Sequence, residues 1–314
     1  MIYFSIINYK INSKNKIFFC TFIAIKKNIS FLKIKKNYKI FLNIKQTIYL
    51  MFLLNCWKKI FFKNNVLLIT IINNEVNSNI DGLFKLYLIS KGFYKIHSIN
   101  LNKIFSKLET LIWSNIGVYS LNDVEKIFKN KNNILIESID KIPFLTKFII
   151  PKKVRISNTN RVRLGSFISE GTTVMSEGYI NFNTFIGKNC MIEGRVSSGV
   201  YISNNTDLGG SSSIMGTLSG GGKIIISIGN NCLLGANSGI GFSLGNNCII
   251  EAGLYITSGM KIFLIIKKKY IIVKAKVLSF INNLIFYRNS LNGRIECCKN
   301  LQNIFKINKI LHIN

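Results

Sequence analysis

The chain has 314 residues, room for two or three domains with buried cores, and a formal net charge of +29. Mean hydropathy is positive at +0.28, but the longest apolar stretches, such as TIYLMFLLNCW (47–57), fall short of the roughly 20 residues a membrane helix needs, so no membrane association is expected. The basic excess suggests nucleic acid until its distribution is considered. Residues 161–260 carry five basic side chains (Arg161, Arg163, Lys188, Arg195, Lys223) and five acidic ones (Glu170, Glu177, Glu193, Asp207, Glu251). The surplus lies in flanks rich in Ile, Lys, Asn and Phe, residues with A/T-rich codons, and no specific nucleic-acid partner is expected. Seven cysteines without a C-x-x-C pair, behind a start (MIYFSIINYK) that lacks a secretory pattern, read as free thiols of a cytoplasmic protein.

In chain order, the first 45 residues show little periodicity and receive no assignment. NVLLITII (65–72) predicts a buried strand, and SLNDVEKIFKN (120–130) predicts a helix with Ser120 or Asn122 as its N-cap. Residues 1–150 are read as an α/β domain. Pro143 and Pro151, the only two prolines, bracket the entry to a different regime.

Nineteen of the 23 glycines fall between 161 and 260, where aliphatic residues recur every six positions. The series runs Val162, Ile168, Val174, Ile180, Ile186, Ile192, then slips to a step of four and resumes at Val196, Ile202, Leu208 and Ile214. Beyond TLSGGGK it continues through Ile228, Leu234 and Ile240, slips by four again, and ends with Leu244, Ile250, Ile256 and Ile262. Neither a helix nor an alternating strand has this period; a three-sided parallel coil does, with one aliphatic per side pointing inward and small residues or Asn turning the corners. The fold expected is therefore mainly β: a left-handed parallel β-helix over 151–265, preceded by the α/β domain and followed by a short C-terminal β extension over 266–314. Cys190, Cys232 and Cys248, each four residues after an inward aliphatic, read as small fillers beside the core. SGGGK (219–223) does not fit a phosphate loop, because Thr217 and Ile224 stand where that motif needs Gly and Ser or Thr.

Such coils often carry acyl transfer, but the fold alone does not fix the chemistry. The two histidines, His97 and His312, lie outside the coil, which excludes a three-histidine zinc site and a coil histidine base. Acyl transfer to an amine still needs a proton acceptor and a donor to the oxyanion. Among the coil carboxylates Glu193 is the best candidate: it follows inward-facing Ile192, it should point outward near Arg195, and it stands at the first slip of the repeat. A surface ion pair between Glu193 and Arg195 fits the pattern equally well. Ser211, Ser212 and Ser213 at the next corner could donate hydroxyl or backbone N–H groups, or could simply be a polar corner.

RVRLGSFISEGTTVMSEGYINFN (161–183), MIEGRVSSGV (191–200), SSIMGTLSGGG (212–222), CLLGANSGIGFSLGNNCIIEAGLYITSG (232–259) and NLIFYRNSLNG (283–293) together resemble tetrahydrodipicolinate N-succinyltransferase, in the class found in actinobacteria and pseudomonads. The resemblance runs from about Asp140 to Gly293. It implies a cytoplasmic homotrimer that moves succinyl from succinyl-CoA to a small amino-oxo-pimelate in diaminopimelate and lysine biosynthesis, with sites in clefts between neighbouring coils. It further implies that Glu193 is the catalytic carboxylate, as acyl-anhydride nucleophile or as base. Succinyl-CoA contacts would fall on Arg195, Gly210, Ser213, Ala236, Glu251, Ala252, Gly259, Lys274, Tyr287, Arg288, Asn289 and Ser290. Tyr287 stands where the family has Arg. Magnesium near the threefold axis would involve Glu177 and Asn160, the latter where the family has Asp. Another coenzyme-A-dependent acyltransferase using acetyl, and a non-catalytic coil, are the competing readings.

Overall fold

The computed structural model describes residues 2–11, 17–27, 38–41, 65–123, 134–216, 225–267 and 269–300, those up to 71 as backbone. Two compact units divide the chain, Met1–Leu88 with Ser98–Pro143, and Ile89–His97 with Phe144–Asn314.

In the first unit β1 (Ile2–Ile11), β2 (Ile17–Lys27), β3 (Tyr38–Phe41) and β4 (Asn65–Ile71) form an antiparallel sheet in the order β2-β1-β4-β3. β4 is the strand expected from NVLLITII. Helix α1 (Asn79–Ser90), which the sequence pattern does not announce, is buried on nearly every side. Its start is nevertheless chemically regular: Ser78 Oγ accepts the Asp81 N–H at 3.3 Å, and Asp81 Oδ2 accepts the Asn77 N–H at 3.1 Å. Lys85 Nζ lies 3.9 Å from Asp81 Oδ2 and donates to the carbonyls of Asn74 and Asn100. Burial lowers the Lys85 pKa against the opposing pull of Asp81. A three-stranded sheet of β5 (Leu111–Ser114), β6 (Gly117–Ser120) and β7 (Ile136–Asp140) follows the short helix α2 (Ile104–Lys107). The expected helix over 120–130 is not found in its first residues: Ser120 closes β6 and 121–123 make a 3-10 turn, while 124–130 lie outside the described residues.

The second unit is a left-handed parallel β-helix with three faces. The first face stacks β8 (Arg155–Ile156), β10 (Thr173–Val174), β13 (Met191–Ile192), β16 (Asp207–Leu208), β19 (Leu233–Leu234) and β21 (Ile249–Ile250). The second stacks β11 (Tyr179–Ile180), β14 (Arg195–Val196), β17 (Ser213–Ile214), β20 (Gly239–Ile240) and β22 (Tyr255–Ile256). The third stacks β9 (Ser166–Ile168), β12 (Thr184–Ile186), β15 (Tyr201–Ile202) and β18 (Ser227–Ile228). All the aliphatics of the six-residue series point inward, none more than 7% exposed. Full burial of each contributes about 1.5–3 kcal/mol.

Register turns the slips into geometry. Ile156, Val174 and Ile192 stack at 18-residue intervals, whereas Leu208 follows Ile192 after 16 residues and Ile250 follows Leu234 after 16. Each slip is therefore a corner shortened by two residues. At the second, Ile240 to Leu244, the shortened corner is filled from within by Phe242, 3% exposed and edge-on to Phe286 at 5.6 Å.

The corner from the third face to the first passes through positive φ in every turn, at Gly171, Asn189, Asn205, Asn231, Asn247 and Asn283. The next residue in each is buried: Thr172, Cys190, Thr206, Cys232, Cys248 and Leu284. The cysteines are more than fillers. Cys190 Sγ donates to Ser203 O at 3.1 Å and Cys232 Sγ to Gly245 O at 3.1 Å, as Thr206 Oγ1 donates to Gly229 O at 2.8 Å.

The C-terminal extension begins with hairpin β23 (Lys261–Ile266) and β24 (Lys269–Lys274). It continues with β25 (Leu284–Arg288), which adds a last rung on β21, and β26 (Ile295–Lys299) between β25 and β23. Among the described residues no helix is long and apolar enough to cross a membrane.

Replacing Leu234, fully buried, by Ala should cost about 2–5 kcal/mol. Asn247→Ala should be about 1–2 kcal/mol less stable than Asn247→Gly, because only the alanine resists positive φ. Urea unfolding of the three variants gives both differences.

Candidate active site

One edge of the coil, the corner from the first face to the second, gathers most of the expected site. Climbing it rung by rung, the chain places Asn160 in a 3-10 turn, then Glu177, Glu193, Gly210, Ala236 and the Glu251–Ala252 pair, capped by Tyr287 and Arg288 of β25. Arg195 and Ser213 are direct neighbours just round the corner, facing outward on the second face. Gly259 and Lys274 fall elsewhere. They meet at the far edge of the second face, where Ala275 N–H bonds Met260 O at 2.8 Å and Lys276 N–H bonds Ser258 O at 3.0 Å.

Glu193 owes its pose to the first shortened corner. Its N–H bonds Leu208 O at 2.9 Å, and Arg195 N–H bonds Ser212 O at 2.7 Å, so only Glu193 and Gly194 turn the edge. Gly194 is obligatory: a Cβ there would sit 2.5 Å from Ser212 O and 2.2 Å from its Oγ. The Glu193 carboxylate leans over the next rung, with Oε2 3.6 Å from where a Gly210 side chain would begin. Among the described residues it accepts no hydrogen bond and forms no ion pair, and Arg195 is exposed and equally unpaired. The surface ion pair weighed from the sequence is therefore absent, and both groups are open to a ligand.

The rung above Glu193 offers donors. Ser211 takes φ of 56°, where Asn237 and Gly253 stand in the following rungs, a conformation that costs a serine more than either. The N–H groups of Gly210 and Ser211 donate to no protein acceptor among the described residues. Ser212 Oγ is buried against Gly194 without a hydrogen bond. Ser213 is half-buried beside Arg195.

Two carboxylates organise the surroundings, and sequence reasoning passed over both in these roles. Glu296, 3% exposed on β26, accepts from Tyr287 OH at 2.9 Å and from Asn289 Nδ2 at 2.8 Å. Burial, followed by Glu296, pushes the Tyr287 phenol up to about 12. Glu251 Oε2 accepts the Arg288 N–H at 2.6 Å, so its charge is occupied in holding β25 to the coil. Arg288 Nη1 bonds Gly293 O at 3.1 Å across the loop that presents exposed Ser290. Asp207, on β16 directly before inward-facing Leu208, is half-buried; burial and the charge of Glu193 push its carboxyl up to about 6. The signal that would have found Asp207 was parity, since the residue preceding an inward aliphatic faces out.

His97 closes a different edge: its Nε2 meets Gly199 O at 2.8 Å and its N–H donates to Asn183 Oδ1 at 3.1 Å. His312 lies outside the described residues. No group of three or more His, Cys, Asp or Glu gathers among the described residues. Glu177 and Asn160 are both exposed, and the Arg161 guanidinium donates to Glu177 O at 3.0 Å.

A family model described as the hexapeptide repeat of succinyl-transferase matches residues 225–258. A Pseudomonas aeruginosa protein named 2,3,4,5-tetrahydropyridine-2,6-dicarboxylate N-succinyltransferase is 46% identical over 242 residues, 75% of this chain and 70% of that relative. The Vibrio cholerae protein of the same name is 43% identical over 255 residues, 79% and 74% of the two chains. A Campylobacter jejuni crystal structure, assigned as a 2,3,4,5-tetrahydropyridine-2-carboxylate N-succinyltransferase, superposes with a TM-score of 0.81 at 27% identity, over 95% of this chain and 92% of that one.

Gly194→Ala should open the corner, lower stability and displace Glu193. Gly210→Ala, whose added Cβ meets only ordinary contact at 3.6 Å, should fold like wild type while covering the open face of the carboxylate. Thermal melts and turnover measured on both variants separate the two effects.

Proposed function

The chain belongs to the 2,3,4,5-tetrahydropyridine-2,6-dicarboxylate N-succinyltransferase family, and we propose that Glu193, at the shortened corner of its β-helix, is the carboxylate on which succinyl transfer turns. The enzyme is an acyltransferase that moves succinyl from succinyl-CoA to the amino group of L-2-amino-6-oxopimelate, in diaminopimelate and lysine biosynthesis. The observation that carries the residue assignment is the Glu193 carboxylate, without a partner among the described residues and held over Gly210 with its backbone locked on both sides.

The chemistry grows out of the corner. Pantetheine lies along the edge where Gly210, Ala236 and Ala252 offer no bulk, and the thioester reaches Glu193. Arg195, two residues on and unpaired among the described residues, takes the distal succinyl carboxylate, which an acetyl donor lacks. The N–H groups of Gly210 and Ser211, which have no acceptor among the described residues, receive the oxyanion that forms at the thioester carbonyl. Glu193 acts either as nucleophile, giving an acyl anhydride that the amine then opens, or as base toward the amine. Arg288 and the Tyr287–Ser290 stretch, kept in shape by Glu296 and Glu251, meet the coenzyme on the same chain. Gly259 and Lys274, at the opposite edge of the second face, contact coenzyme held by a neighbouring coil, which makes the working unit a homotrimer with sites in the clefts.

Magnesium fits this chain less well than the family pattern. Glu177 and the Asn160 amide oxygen, repeated around the axis, would supply one carboxylate per subunit, with the Arg161 cation on the same turn. No step of transfer passes through it.

Glu193→Ala should lower kcat about 10³-fold while the assembly persists on size exclusion. Thiol release should follow succinyl-CoA and not acetyl-CoA, and Arg195→Ala should erase that preference. Full turnover by the Glu193 variant refutes the assignment.

A further inference from the structure

Two carboxylates stand on adjoining rungs at this corner, and neither has a protein partner among the described residues. β16 pairs with β13 so that Asp207 lies opposite Met191, and Glu193 N–H bonds the carbonyl of Leu208, the residue after Asp207. Asp207 faces outward between Met191 on one side and Leu233 on the other, uncharged neighbours that strip it of water and offer it no donor. Among the described residues its carboxylate, like that of Glu193, accepts no hydrogen bond and meets no cation. A half-buried acid without donors is costly to keep, and a pair of them forms a seat of net negative charge open on its outer side. The complementary guest is an ammonium ion. The amine substrate reaches the site as one, and acyl transfer cannot begin until it has lost a proton.

We propose that Asp207 is the second carboxylate of the active site: it holds the ammonium group of the amine substrate beside Glu193 and takes its proton. The proposal rests on the reading of Glu193 as the transfer carboxylate. In the step, R–NH3⁺ and the Asp207 carboxylate become R–NH2 and the carboxylic acid. The nitrogen lone pair then forms the amide bond to the succinyl carbonyl carbon. The bond from that carbon to its leaving group breaks, the leaving group being the coenzyme sulfur or the Glu193 oxygen. The second proton leaving nitrogen ends on the released coenzyme thiol. This division of labour resolves a difficulty of the anhydride route, in which Glu193 is itself acylated and cannot also be the base.

The groups facing Asp207 set its acidity. Glu193 comes from the corner after β13, and the Cys190 thiol, itself raised to about 11 mainly by burial, from the corner before it. Met191 and Leu233 carry no charge. The cation on the adjoining rung is Lys188, in the corner before β13 beside Asn205 and held by Glu170 at 2.9 Å, while Arg195 lies on the next face and Arg155 three rungs away. A carboxyl near 6 is mostly ionised at pH 7 and poised to accept. The sign for stability is opposite to that of a structural acid. Because folding raises this pKa from 3.8, the folded chain binds the proton more tightly, and stability falls as pH rises from about 4 to about 6.

The test compares wild type, Asp207→Asn, Asp207→Glu and Glu193→Ala as full-length protein, tracking thiol release from succinyl-CoA with the amine substrate across pH 5–9. Wild-type kcat/KM for the amine should fall below a pH near 6. In Asp207→Asn that acid limb should vanish and kcat/KM for the amine drop about 10²–10⁴-fold, with the KM for succinyl-CoA nearly unchanged. The Asn variant should melt no lower than wild type at pH 7, and Asp207→Glu should recover part of the rate together with the limb. An Asn variant that keeps the limb and its rate overturns the proposal while leaving Glu193 in place. So does one that unfolds, or that loses coenzyme affinity and stability together. A fully active Glu193→Ala instead removes the reading beneath it.

Discussion

Everything in the coil depends on one corner being able to turn in the left-handed region of backbone space in every rung. Inward aliphatics supply most of the stabilisation, but their attraction is non-directional and would tolerate a rung sliding past its neighbour. Register comes from the asparagines. Asn189 Nδ2 reaches Asn205 Oδ1 at 3.4 Å, Asn231 reaches Asn247 at 3.1 Å, and Asn247 reaches Asn283 at 2.9 Å. One position earlier, Asn204, Asn230, Asn246 and Asn282 each accept a backbone N–H from the preceding rung, at 2.7–3.0 Å. Asparagine tolerates positive φ, and its amide continues the ladder that the bent backbone interrupts.

With one corner regular, the others are free to vary. The corner carrying Glu193 loses two residues, and the second short corner is plugged by Phe242. The same two-residue loss thus has two outcomes, decided by the pair of residues after the inward aliphatic. Gly241 and a large aromatic turn the chain into the core, whereas Glu193 and Gly194 turn a charge out over the next rung.

The coil was legible because its period is enforced by burial, one aliphatic per face, and a four-residue step can only be a missing pair. Of the candidate site, the repeat itself singled out only Glu193, by its place at a slip; Gly210, Ala236, Glu251 and Tyr287 came from the family resemblance, and register sets all five along one edge. The features that escaped depend on side chains meeting across distant segments. Glu296 is 45 residues from Glu251, yet both brace β25. Asp207 looks like any polar strand residue until its neighbours are known to be Met191 and Leu233. Helix α1 escaped for another reason: it is buried nearly all round, with Asp81 and Lys85 inside, so it carries no amphipathic stripe.

The sulfur atoms within the asparagine corner have a kinetic consequence. Cys190, Cys232 and Cys248 are fully covered and tied to carbonyls of the next rung. An alkylating reagent reaches them only when neighbouring turns part. Their modification rate is therefore a clock for breathing of the solenoid, read at three heights along its axis, and a coil that opens from one end must surrender the three thiols in sequence.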